Sequence, residues 1–535
     1  MKKLKYLAML TLSMFVVTTN VKAISTSDEL SDCIYGTKTI CKLTSDFTMT
    51  NPITIMLDRE VTLDLNGYTL DIEHTILFNG NGKLTVTGNG TIKTDSPTAG
   101  YMFDVYPGST LILENGNFTN TVKGGKIIGV TGSETDSDML SRATVIVKEK
   151  ATLSANYGIV VRHAGSNASY GAIVDFAGTI KAISGNNGYN DGSVGIFVNG
   201  TIKKSNGNVP EIKISGGNIT TTVGTTGDPA SDSAPALSAS GYANWIITGG
   251  DITGTEAIAI KAGNFDISGG VFTATGKYYD PANGNTNGSE ATGAAISITA
   301  TKNYSNSVKL NISNATVISK LGNAIYEGIS VDKDGNKTTN SSAVVENGLT
   351  ISGGTFTAED DTKTALDIEK EVKEFISGGE FSSDINKIYL NNDLESSKQE
   401  DGSYLVGTRY NITICEAVEG TITTDKTSAI NGEIITLTVI PKEGYKIKSI
   451  TADGEEVKDN KFIMPNKDVE VKVLFAKIVE GDTAPENPTE EDIIVTPEAS
   501  TSTNPKTGDN FLIYGLLLII AITGLKLSLR TRKTH

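Results

Sequence analysis

The sequence predicts an all-β chain, a repeat solenoid followed by a small β module, with helical segments confined to the two ends. Three observations carry that reading. Five copies of one motif recur through the middle, "ISGGNI" (214–219), "ITGGDI" (247–252), "ISGGVF" (267–272), "ISGGTF" (351–356) and "ISGGEF" (376–381), with "ISNATV" (312–317) as a degenerate copy. Short runs alternating apolar and polar residues fill the intervals, as half-buried strands require. Helical periodicity is almost absent from the same stretch.

Composition sets the outer bounds. At 535 residues the chain exceeds what one compact core organises, whereas a repeat architecture lengthens without enlarging its core. Hydrophobic residues at 38% and charged residues at 20% fit an ordered protein. A net charge of −16, with no Lys/Arg cluster outside the termini, repels phosphate backbones, so nucleic acid is not an expected partner.

The first element is a basic start (Lys2, Lys3, Lys5), an apolar run from Tyr6 to Val17 and then "TTNVKA". This is the pattern of a secretory signal peptide over residues 1–23, cleaved between Ala23 and Ile24. Cys33 and Cys41 follow, on either side of "IYGTKTI", and in an exported protein their spacing allows a disulfide closing this small loop. Cys415 is left over and reads as a small buried apolar residue on a strand.

Within each motif the terminal Ile and Ile/Phe favour strands, and the Gly pair permits a corner without a Cβ clash. Each copy is therefore strand, corner, strand. "AIAIKA" (257–262), "AAISITA" (294–300) and "TALDIE" (364–369) read as a further wall. Upstream, "VTLDLNGYTLDI" (61–72), "KLTVTGNGTIK" (83–93), "STLILENGNFT" (109–119), "ATVIVKEKATLS" (143–154) and "AIVDFAGTIKA" (172–182) repeat the grammar without the double Gly. Residues 24–408 hold on the order of a dozen coils at roughly 20 to 25 residues each. Stacked at strand spacing they make about 60 Å.

"TLDLNGYTL", the "ISGGxF" units and the closing "DGSYLVG" (401–407) look like the right-handed parallel β-helix of pectin-lyase-like surface proteins in Gram-positive bacteria and gut anaerobes. The resemblance implies a right-handed parallel β-helix over 24–408. Because that fold hosts lyases, glycosidases, esterases and adhesive stalks, function has to be read from a site.

An enzyme of this kind acting on acidic polysaccharide needs a base, often Arg or Lys, and usually Ca²⁺ held by carboxylates converging from adjacent coils. The variable motif position holds Asn218, Asp251, Val271, Thr355 and Glu380, which is no run of carboxylates. His74 and His163 stand far apart in sequence, and Arg162 beside His163 is the best local pair for general-base chemistry against a solvated role. "DKDGN" (332–336) lacks the closing Glu of a calcium loop and reads as a turn. No catalytic residue, metal site or cofactor is predicted. Binding has a candidate in the insert "GKYYDPANGNTNGSE", where Tyr278, Tyr279 and Asp280 combine aromatic faces with planar hydrogen bonders suited to sugars, against the plainer reading of an ordered loop.

Residues 409–476 change grammar to alternating strands with turn pairs such as "DG". "GTI", "AINGEIITLTVIPKEGYKIKSI" and "FIMPNKDVEVKVLF", in that order, resemble the divergent internalin-type B-repeat of Gram-positive surface proteins, which implies a small β spacer without a catalytic set. Residues 477–503 form an acidic tether rich in Pro, Thr and Glu; 480–503 carry seven acids, three prolines and no Lys or Arg, and cannot bury a core.

The last segment, 504–535, combines "NPKTGD", an apolar run from Phe511 to Leu529 interrupted by Lys526, and the basic Arg530, Arg532 and Lys533. It resembles the LPxTG-type sorting signal of Gram-positive wall proteins, with Asn504 in place of Leu. The resemblance implies that sortase recognises Asn504, Pro505, Lys506, Thr507 and Gly508, cleaves after Thr507 and joins Thr507 as an amide to peptidoglycan. The competing reading is a permanent single span, for which Phe511–Leu525 is short of the roughly 20 residues needed. The expected protein is thus secreted, held in the membrane transiently, covalently wall-anchored and adhesive or glycan-binding toward a host or neighbouring surface, without catalysis. The rivals are a displayed polysaccharide lyase or glycosidase and a structural envelope component.

Overall fold

The computed structural model describes residues 21–56, 58–132, 142–162, 171–183, 193–199, 209–222, 234–276, 292–300, 308–329, 344–368 and 372–479. The chain divides into two compact units, Met1–Lys477 and Ile478–His535, and of the second only Ile478 and Val479 are among the described residues.

The first unit is nearly all β, and its larger part is a parallel β-helix with three walls. One coil shows the plan: Asn244–Ile247 lies on the first wall, Asp251–Gly254 on the second, Ile258–Ile260 on the third, and Gly263–Ile267 begins the next coil on the first wall again. The third wall is an 11-stranded parallel sheet running from Ile53–Ile55 to Leu366–Ile368.

The motif's apolar residues build the core as columns. Its first Ile stacks in register, Ile214 on Ile247, Ile267, Ile312 and Ile351. Its last residue forms a second column, Ile219, Ile252, Phe272, Val317, Phe356 and Phe381. All are buried, each side chain contributing about 1.5–3 kcal/mol. Phe356 and Phe381 stack at 5.0 Å, and Trp245 lies on Phe265 at 5.4 Å. Trp245 is therefore a core residue within a strand. The variable motif position stacks on the outer surface, with Thr316 entering between Val271 and Thr355.

The second glycine of the corner is needed twice over. Gly250, Gly270 and Gly354 have φ of 103°, 104° and 107°, and a Cβ on Gly354 would stand 2.6 Å from the Ala315 carbonyl oxygen of the preceding coil. Left-handed backbone and close stacking both exclude a side chain there.

Two features depart from the expectations, a helix and the surroundings of Cys415. A helix, Ser27–Tyr35, stands inside the segment expected to be all-β. Leu30, Cys33 and Ile34 form its buried face, and the Thr26 side chain caps it by accepting from the Glu29 N–H. The helix covers the first coil, to which a Cys33–Cys41 disulfide with Cα atoms 5.9 Å apart joins it. Before it, Val21–Ile24 pairs with Ile40–Leu43, so the expected cleavage point between Ala23 and Ile24 falls within a strand. Cys415 is half-buried, not buried as expected, because it follows the end of a strand; its thiol donates to Glu470 Oε1 at 2.9 Å.

After Phe381 the hairpin Leu394–Lys398/Tyr404–Ile414 closes the solenoid, and the second strand continues into the small module. There it pairs antiparallel with Ser428–Ile430 and parallel with Val469–Lys477, which in turn pairs antiparallel with Tyr445–Ala452. A three-stranded sheet of Gly420–Thr424, Ile434–Pro441 and Lys461–Ile463 covers a separate core of Ile435, Leu437, Met464, Val469 and Val471.

Replacing Gly354 by Ala is expected to destabilise the protein by about 1–3 kcal/mol, since it forces a strained φ as well as a clash. Gly216→Ala, at a corner position with nothing within 4 Å of a Cβ, is expected to change stability by less than about 0.5 kcal/mol. Denaturant unfolding of the two variants checks this, and equal losses would remove the stacking argument.

Candidate functional site

The three walls present different outer faces. On the first two, charged residues pair across neighbouring coils, Lys42 with Asp64 at 3.2 Å and Lys93 with Asp71 at 3.1 Å, as solvated surfaces do. The third wall instead carries a cluster of rings and buried polar groups from 101 to 199.

Register places the cluster. Tyr101, Lys126 and Tyr157 are direct neighbours on successive strands, and so are Asp104, Gly129, Val160 and Phe197. A third row holds Thr131, Arg162 and Asn199. Lys126 Nζ stands 5.3 Å and 5.4 Å from the ring centres of Tyr101 and Tyr157, and Tyr157 stacks with Phe197 at 6.3 Å. Arg162 reaches back across one coil to Asp104, with which it makes an ion pair, and lies 4.5 Å over the Tyr101 ring and 5.9 Å from that of Tyr106. Each cation over a ring contributes about 0.5–2 kcal/mol. Gly129 makes this crossing feasible, because a Cβ there would meet the Tyr101 ring at 2.7 Å and Asp104 Oδ1 at 3.1 Å.

Electrostatics ties the group together. Burial pushes the Arg162 guanidinium toward losing its proton, and the hydrogen bond and charge of Asp104 more than reverse this, so its pKa is raised. Burial raises the phenols of Tyr101 and Tyr106, with the Asp104 charge adding to it and Arg162 opposing it. Among the described residues, two buried polar atoms of this cluster have no partner, Thr131 Oγ1 and Arg162 Nε.

Further along the solenoid, in the corner between Asp251–Gly254 and the third-wall strand Ile258–Ile260, stands Glu256, a buried carboxyl whose Oε1 accepts from the Thr292 N–H at 2.9 Å and from its hydroxyl at 2.5 Å. Burial pushes its pKa up to about 7, against the Thr292 hydrogen bonds, the charge of Lys261 and Ser297. Such a carboxyl holds a proton near neutrality, as a general acid must, yet it is 2% exposed and one oxygen is fully engaged. Grooves of about 440 and 760 Å³ lie elsewhere, the first lined by Glu114, Lys148 and Asp175 and the second by Lys387, Asp393 and Arg409, and neither lining contains an aromatic ring. Among the described residues no group of three or more His, Cys, Asp or Glu is placed to hold a metal ion.

Sequence reasoning reached only part of this. Arg162 stands in the cluster, but its partner is Asp104, 58 residues earlier, and not its neighbour His163, which lies outside the described residues. His74 is half-buried at the corner before Ile76–Phe78. Tyr278, Tyr279 and Asp280, the turn 332–336 and the sorting residues Asn504, Pro505, Lys506, Thr507 and Gly508 also lie outside the described residues. Among those described, no helix is long and apolar enough to cross a membrane.

Comparison with known proteins bears on the small module. Residues 410–479 match the family described as Divergent InlB B-repeat domain. A domain of this kind suggests a bacterial surface protein. No curated protein and no solved structure matches the chain.

The Glu256 carboxyl makes stability depend on pH. Its folded pKa of about 7 lies above the ordinary 4.5, so the folded state binds the proton more tightly and stability falls as pH rises from about 4.5 to about 7, then levels. The expected loss is about 3 kcal/mol. Glu256→Gln, which keeps an acceptor for Thr292, should abolish that component in unfolding measured at pH 5 and pH 8; an unchanged pH dependence would contradict the assignment.

Proposed function

We propose that this is a bacterial cell-surface protein that is secreted, joined covalently through Thr507 to peptidoglycan by sortase, and adhesive through a glycan-binding face on the third wall of its solenoid. The observation that carries the binding reading is the in-register ladder Tyr101–Lys126–Tyr157, flanked by Arg162 over the Tyr101 ring. Tyr106, 39% exposed at the margin of the ladder, offers a flat apolar ring to a sugar face, while the adjacent cations, carboxylate and phenols supply hydrogen bonds that orient it; the buried Tyr157 ring supports Lys126 from beneath. The match to a B-repeat domain supports surface display, and the order signal peptide, solenoid, module, acidic tether, "NPKTG" and basic tail supports anchoring. In this reading the membrane holds the chain only until sortase acts, and the solenoid and module carry the face away from the wall.

Thr507→Ala is expected to move the protein from the cell-wall fraction to membrane or medium, read by fractionation and immunoblotting. Wall attachment that survives the change would end the sorting assignment. Tyr106→Ala is expected to weaken retention on mucin or plant-fibre polysaccharide by roughly tenfold, the scale of a lost aromatic platform. Undiminished retention would place the ligand elsewhere on the molecule.

A further inference from the structure

The geometry points to an oxyanion subsite within this face, in which Thr131 and Arg162 together hold the carboxylate or sulfate of an acidic glycan unit; this rests on the glycan-binding reading above. Thr131 and Arg162 are direct register partners on adjacent strands. Thr131 is 7% exposed and its hydroxyl has no partner, and the same holds for the Arg162 Nε–H. The guanidinium is half used. Its Nη2 is committed to Asp104, while the Nε–H on the same edge of the fork finds no acceptor.

A buried donor without an acceptor bears the whole cost of its desolvation. Here two potential donors with that deficit stand on neighbouring rungs. An anionic oxygen answers both, because a guanidinium edge and a hydroxyl donate to carboxylate or sulfate with strong, charge-assisted hydrogen bonds. Charge points the same way. Of the residues in the three rows, Lys126 and Arg162 are the cations and Asp104 is the single anion, in a chain whose overall charge is −16. The cluster is thus a local positive site on a negative protein. Solvent reaches its margin, with the Arg162 side chain 27% and Tyr106 39% exposed.

Three polymers with one backbone test the subsite: dextran, carboxymethyl-dextran and dextran sulfate, titrated at fixed ionic strength against purified full-length protein. At least one charged form is expected to bind about tenfold or more tightly than dextran, and which one does so separates carboxylate from sulfate. Thr131→Val, which swaps the unpartnered hydroxyl for a methyl of similar size, and Arg162→Lys, which keeps the charge but loses the fork, are each expected to cut that preference by about tenfold. Tyr106→Ala should weaken all three polymers alike. Equal binding of the three dextrans, or a preference that survives both subsite variants, overturns the inference while leaving glycan binding intact. Binding to none of them, together with no retention on mucin or plant fibre, overturns the glycan-binding reading and this subsite with it.

Discussion

In this solenoid the carbonyl oxygen of one corner occupies the space that a side chain on the next corner would need. The approach of Ala315 O to Gly354 is one instance, and Gly217 over Gly178 is another. The parallel hydrogen-bond ladders set the spacing of the coils, and at that spacing only a glycine fits the corner. Interior columns of Ile and Phe meet in register only while each corner turns in the same place. The outer face depends on it too, since the ladder of Tyr101, Lys126 and Tyr157 exists because strands distant in sequence arrive at one register.

The repeat was legible because the same physical demand recurs. Ile before the Gly pair and Ile or Phe after it mark two inward positions, and the glycines mark the corner between them. Runs such as "AIAIKA" exposed the third wall through alternation alone, and Ile258–Ile260 lies there. The helix Ser27–Tyr35 was not legible in that way. Its single amphipathic turn pair and Thr26 cap make a short local signal that a search for repeats passes over.

The candidate site was less legible, and the reason is geometric. Arg162 and Asp104 are two coils apart, so no local motif joins them, and only the strand register brings their side chains together. Gly129 looks like one more small residue in "KIIGVT", yet its missing side chain is what lets the Tyr101 ring lie flat. Glu256 gave no sign of its burial, because "GTEAIAI" has the composition of an ordinary surface corner. What the sequence did reveal is the negative balance of the whole chain, against which the cations of the third wall stand out.

The strand Tyr404–Ile414 enters the small module, and Val469–Lys477 leaves it, and the two run side by side in the same direction, Ile412 against Val469 and Ile414 against Val471. Tension applied between the solenoid and the residues beyond Lys477 would pull these neighbours past one another along their length. Their hydrogen bonds would be strained together in shear, where antiparallel neighbours pulled from one end would unzip a bond at a time. The module is therefore arranged as a mechanical clamp whose two gripping surfaces are the entrance and the exit of the chain.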